Sequence, residues 1–328
     1  MAFSTESRTT FLRRIAVRLG PHALLILIAS LHCTSLGCRS LRSRRHTQQL
    51  SDARQNSLRG AEKLQQNKLK DAEFLFSEAL RQSAADERAQ WGMSEVLWQQ
   101  GEHERAIEHM ARAAQISGDN PDLIVRLGEM NFEAGFTDQA LQQADLALDR
   151  QRRHPGAWAL RGKVLHQRQQ LDEALECYQR ALIGQPSMPD VQLAIAEIYQ
   201  ATGRPQRAYA TLEYMTDNQA EERISSKAWM VKGLALADLG EEPAARECLK
   251  NAALCAGDEE TELLLGLAES QIAAGDLAEA RICLGRVFRH DPNNQHALQL
   301  QNTLNQSFRE FTLPAVLTGF EQGVAAGR

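Results

Sequence analysis

Six cysteines and a few histidines, tryptophans and glutamates carry whatever chemistry this chain can do. The cysteines are Cys33, Cys38, Cys177, Cys248, Cys255 and Cys283. A thiolate is both a nucleophile and a metal ligand, but the spacing here favours neither role. No pair stands as Cys-x-x-Cys, so zinc is not expected. Cys248 and Cys255 are seven residues apart, about 10 Å along a helix, beyond the ~7 Å Cα reach of a disulfide. The expectation is free, half-buried thiols. The densest polar cluster is Gly101-Glu102-His103-Glu104 with Glu108-His109. Its two histidines are six apart and point to different helix faces. That cluster reads as a solvated turn and helix face. No His-Glu-x-x-His, no phosphate-cradling glycine loop and no Ser/His/Asp or Cys/His set is visible. No catalytic residues, metal or cofactor are therefore expected.

The elements that hold these residues follow from one alanine series. Ala72, Ala106, Ala140, Ala174 and Ala208 recur every 34 residues, and Ala245 and Ala280 follow after steps of 37 and 35. Twelve residues before each alanine stands a small residue: Gly60, Ser94, Gly128, Gly162, Ala196, Gly233 and Ala268. Five before it stands a turn residue: Asn67, Gly101, Gly135, Gln169, Gly203, Gly240 and Gly275, with Gln169 the poorest fit. Four and seven after it come mostly apolar residues, such as Tyr178 and Ala181. Residues four and seven apart share a helix face. Each period is therefore an antiparallel helical hairpin whose small residues let two backbones approach closely. One hairpin cannot bury its apolar stripe alone, so neighbours must stack. Cys177, Cys248 and Cys283 all fall three residues after a ladder alanine.

The pattern resembles the tetratricopeptide repeat family. Residues 155–188 match best, with Trp158, Gly162, Leu165, Ala174, Tyr178, Ala181 and Pro186 at the family's signature phases; Arg161 departs where leucine is usual. The resemblance implies an all-α fold, a right-handed α-solenoid of about seven hairpins with a C-terminal capping helix. The copies are 53–86, 87–120, 121–154, 155–188, 189–222, 226–259 and 261–294, forming an array over 53–308 closed by a cap at 295–308. They leave no stretch for a separate catalytic domain. The 309–328 tail follows. The surplus in the step from Ala208 to Ala245 falls near 219–226, where a bend is expected.

In this family the first helix of each hairpin lines a peptide groove. Its phases give Arg88, Trp91, Glu95 and Trp98 in the second copy, and Val125, Glu129, Phe132 and Glu133 in the third. The fourth gives Lys163 and His166, and later copies give Glu197 and Glu269 among others. The lysine and asparagine set that clamps a C-terminal carboxylate in chaperone-binding relatives is missing. Instead Trp91, Trp98 and Phe132 would form an aromatic strip bordered by acids, suited to an apolar or basic protein segment. Packing between adjacent copies is the alternative role for Trp91 and Trp98.

Charge divides the chain. Residues 1–54 carry nine arginines against Glu6 and Asp52, a net of +7, leaving −12 for the remainder of a chain of net −5. An acidic array argues against nucleic acid as its partner. The basic start, the apolar run 21–36 and Gly37-Cys38 follow the plan of a secretory signal. Ser35-Leu36-Gly37-Cys38 resembles the lipobox of bacterial lipoproteins, although Ser35 stands where leucine is usual. That resemblance implies a signal segment over 1–37, lipidation of Cys38, a basic tether over 38–52 and an exported, membrane-anchored protein of the bacterial envelope or periplasm rather than the cytoplasm. The functional expectation is a non-catalytic scaffold for protein–protein interaction. The alternatives are a structural subunit of a secretion or polysaccharide-export machine, and an enzyme built on the groove.

Overall fold

A computed structural model describes residues 47–217 and 224–308. All fifteen regular elements among these residues are α-helices. In chain order they are α1 (47–65), α2 (Leu69–Gln82), α3 (Glu87–Gln99), α4 (His103–Ile116), α5 (Pro121–Glu133), α6 (Thr137–Arg150), α7 (Pro155–Gln167), α8 (Leu171–Gly184), α9 (Pro189–Ala201), α10 (Pro205–Asp217), α11 (Ser226–Asp238), α12 (Glu242–Cys255), α13 (Thr261–Ala273), α14 (Leu277–His290) and α15 (295–308). α3 pairs with α4 as a hairpin, as do α7 with α8, α9 with α10, α11 with α12 and α13 with α14, and α15 closes the series as the capping helix. The expected bend near 219–226 and the 309–328 tail fall largely or wholly outside the described residues.

The turn inside each hairpin has one geometry. All seven residues five before a ladder alanine have positive φ, including the non-glycines Asn67 at 57° and Gln169 at 61°. At each turn that residue's N–H bonds the carbonyl three back, and the next N–H bonds the carbonyl five back. Gln169 N to His166 O is 2.9 Å and Gln170 N to Leu165 O is 3.0 Å. This is the Schellman arrangement, which satisfies carbonyls the helix end leaves open. Gln169 therefore holds the same left-handed conformation as its glycine counterparts despite its Cβ.

Helix starts are marked as clearly. Asp86 and Ser225 accept hydrogen bonds from Ala89 N at 2.9 Å and Ala228 N at 3.2 Å. Pro121, Pro155 and Pro189 occupy first positions, where no N–H is needed.

The described residues form two compact units, divided between Gln139 and Ala140. In the first, Phe76 fills the space made by two glycines. A Cβ on Gly60 would come within 2.7 Å of its ring, and one on Gly92 within 2.1 Å. Ala72, Ala79, Ala89 and Ala106 pack around this wedge with no exposed area. In the second unit Tyr178 plays the same part, 2.6 Å from where a Gly162 Cβ would stand. At the far end Ala297 and Leu304 of α15 join Leu284 and Val287 of α14 in one core. Phe308 packs on that core beneath the Arg281 guanidinium, 4.5 Å from its ring centre.

Candidate functional site

Trp91 lies two helical turns before Trp98 on α3, and the two have different surroundings. Trp98 is partly buried against the Phe76 core and meets His103 edge-on at 4.3 Å between ring centres. Trp91 keeps 45% of its surface exposed. Its indole Nε1 donates to Glu95 Oε1 at 3.2 Å, one turn along the same helix. Of the two tryptophans, Trp91 presents its ring to solvent, while Trp98 shares its surface with the hairpin turn. Arg88 and Glu133 are exposed, Glu129 and Phe132 half-buried, and Val125 buried.

The acidic border has a different character from the one expected. Arg126 of α5 forms a two-pronged bridge to Glu95 of α3, with Nε to Oε1 and Nη2 to Oε2 both at 2.8 Å. Its Nη1 lies 3.5 Å from Glu129. Donation to the Glu95 carboxylate holds the Arg126 pKa above its ordinary value, against the opposing effect of burial. Glu95 is therefore a paired acid that braces two hairpins, and Glu129 shares the same cation. Arg126 was not singled out in the sequence. The signal for it is positional: a base in the copy after a groove glutamate.

The second unit repeats that signal. Glu197 of α9 pairs with Lys227 of α11 at 2.5 Å, and Glu269 of α13 with His296 of α15 at 2.9 Å. Beside the first pair, His166 meets the buried Tyr178 ring edge-on at 6.3 Å. Burial lowers the His166 pKa, and Lys227 adds to that while Glu197 opposes it. Burial pushes the Tyr178 hydroxyl pKa upward, so the hydroxyl stays protonated. Lys163 is half-buried on the same helix as His166.

Two expectations need correction. His109 is not part of a solvated face: it is half-buried, and its Nδ1 lies 2.6 Å from Oε1 of the buried Gln90. Gln90 in turn donates to Ala84 O at 3.0 Å. Burial, with Arg112 and Arg105, lowers the His109 pKa, so the neutral ring serves as a structural donor. The thiols at the ladder phase are buried rather than half-buried, at 5% exposed for Cys177, 7% for Cys248 and 0% for Cys283, whereas Cys255 is exposed. All four are free, and burial pushes Cys283 up to about 11. Cys33 and Cys38 lie outside the described residues. Among the described residues no helix is long and apolar enough to cross a membrane, and no cluster of three or more His, Cys, Asp or Glu could hold a metal.

Comparison with known proteins agrees with this architecture. Family models described as tetratricopeptide repeat match residues 58–121, 97–164 and 262–294, and one described as TPR repeat matches 162–203. Cellulose synthase operon protein C of Pseudomonas fluorescens is 24% identical over 258 residues, covering 74% of this chain. The chain spans only about a fifth (20%) of that relative's length. A tetratricopeptide repeat protein from Parabacteroides merdae superposes with a TM-score of 0.59 at 14% identity, over 77% of this chain and 99% of that one. A structure of Pseudomonas aeruginosa pilF aligns at 16% identity over 77% of this chain and 98% of its own, with a TM-score of 0.49. The matched models together span more than half of the 328 residues, and the chain belongs to the tetratricopeptide repeat family.

Proposed function

We propose that the chain is a non-catalytic scaffold that captures another protein on the α3 and α5 surface. The observation that supports this most is the Trp91 ring, left exposed while Glu95 and Arg126 hold its surroundings fixed. A large aromatic on a rigid support loses little entropy on binding, the usual property of an interface anchor. Arg88, Trp98, Val125, Glu129, Phe132 and Glu133 complete this surface, and Lys163 and His166 are candidate contacts of the second unit taken by itself. Because Glu95 is paired, apolar contact with Trp91 drives capture, and Glu133 selects a basic neighbour. Affinity purification from detergent-solubilised membranes with wild type and Trp91→Ala tests this. Loss of a specific partner from the variant supports it, and an unchanged partner set opposes it.

In the same reading the protein is held at a membrane through lipidated Cys38, on the strength of the Ser35–Cys38 motif behind a basic and apolar start. Incorporation of labelled fatty acid, abolished in Cys38→Ala, is the expected result. Similarity to a cellulose synthase operon protein favours a more specific version, in which the array braces subunits of an envelope polysaccharide machine. A stable complex with such subunits in membranes is its test.

A further inference from the structure

Arg161 stands where this repeat ordinarily places leucine, and its side chain is half-buried, 38% exposed. Its Nη1 lies 3.2 Å from Asp145 Oδ1. Its guanidinium sits 5.8 Å from the Trp158 ring centre, and Arg180, which is paired with Glu176, covers the same ring at 4.6 Å. The Trp158 Nε1 is fixed by donation to Arg152 O at 2.9 Å. Arg161 Nε is buried with no hydrogen-bond partner. Leaving a guanidinium donor buried and unpaired is costly, so the seam retains a donor that lacks an acceptor. A cavity opens at this point, lined by Asp145, Asp149, Arg152, Trp158, Arg161 and Arg180, with the buried Leu148 at its floor. The segment that supplies the cavity, 145–180, holds seven arginines and lysines against five acids in a chain of net −5.

We propose that this cavity binds a glutamate- or aspartate-bearing segment of a partner protein. The incoming carboxylate is the acceptor for the Arg161 and Arg180 guanidinium groups. Trp158 and Leu148 pack its aliphatic stem. Asp145 and Asp149 on the wall disfavour a uniformly anionic polymer such as an acidic polysaccharide, but they accept from the backbone N–H groups a peptide offers beside its carboxylate. The site is separate from the Trp91 surface and opposite in charge preference. Its success or failure is therefore independent of that reading.

The test is calorimetric titration of a blocked peptide carrying one glutamate among alanines into the full chain, into Arg161→Leu and into Arg152→Ala. Arg161→Leu restores the repeat's own residue and is expected to fold with an unchanged or raised melting temperature. Wild type should bind, Arg161→Leu at least tenfold more weakly and Arg152→Ala several-fold more weakly, all with affinity falling as salt rises. Equal binding by wild type and Arg161→Leu, or no binding by wild type, would overturn the proposal. So would tighter, Arg161-dependent binding of an oligogalacturonate than of the peptide.

Discussion

Arg126 grips Glu95 across two successive hairpins, with both prongs of its guanidinium 2.8 Å from the two carboxylate oxygens. Only 28% of the arginine side chain and 21% of the glutamate side chain remain exposed, so solvent screens the pair less than an ordinary surface bridge. A double-mutant cycle with Glu95→Gln and Arg126→Met should give a coupling on the order of 1 kcal/mol in urea unfolding. A coupling indistinguishable from zero would remove the brace from this account.

The left-handed turn at Gln169, with φ 61°, is strained for a residue with a Cβ, whereas glycine adopts it freely. Relief of that strain outweighs the added freedom of glycine in the unfolded chain. Gln169→Gly should stabilise the protein by about 0.5 kcal/mol, seen as a higher urea midpoint at unchanged slope. A lower midpoint would show that the Gln169 side chain contributes more than its backbone strain removes.

Gly162 is required by the Tyr178 ring, which leaves only 2.6 Å for a Cβ. Gly162→Ala should destabilise by about 1–3 kcal/mol through overpacking. The pairing predicts partial rescue by Tyr178→Leu, and the absence of any rescue would place the cost elsewhere.

His109 carries a pH dependence. Burial sets its folded pKa below the ordinary 6.5, so the unfolded chain binds the proton more readily. Its contribution to stability is present above the unfolded value and falls as pH drops below it, levelling off below the folded value. Thermal melts across this range should show a shallower acid-side loss in His109→Gln than in wild type. Identical profiles would contradict the assignment.

Thiol accessibility separates the cysteines. Burial raises the pKa of Cys177, Cys248 and Cys283, the last to about 11, and thiolate is the reactive form. In native protein at mildly alkaline pH, alkylation mapped by mass spectrometry should modify Cys255 well before these three. Denaturant should abolish the difference.

The alanine ladder was legible because each hairpin repeats one local requirement: a small residue where helices cross and a left-handed residue at the turn. Even Gln169 and Asn67 obeyed the phase their neighbours set. Arg126 was not read from the sequence, because its partner Glu95 stands 31 residues away and, although a base follows in the next copy, its offset from the groove acid differs from pair to pair. His109 was misread for the same reason, since Gln90 lies on the other helix of the hairpin. The groove phases located Trp91 and Trp98, but their spacing gave no sign that the turn at His103 would cover one and leave the other open.

The measurement that bears most directly on the central claim is quantitative partner capture by wild type and Trp91→Ala, with matched melting curves to establish equal folding. The account predicts that Trp91→Ala melts within a degree or two of wild type, consistent with a largely exposed side chain, yet loses at least tenfold in recovery of a specific partner. Equal recovery of every partner by the two folded proteins would contradict it.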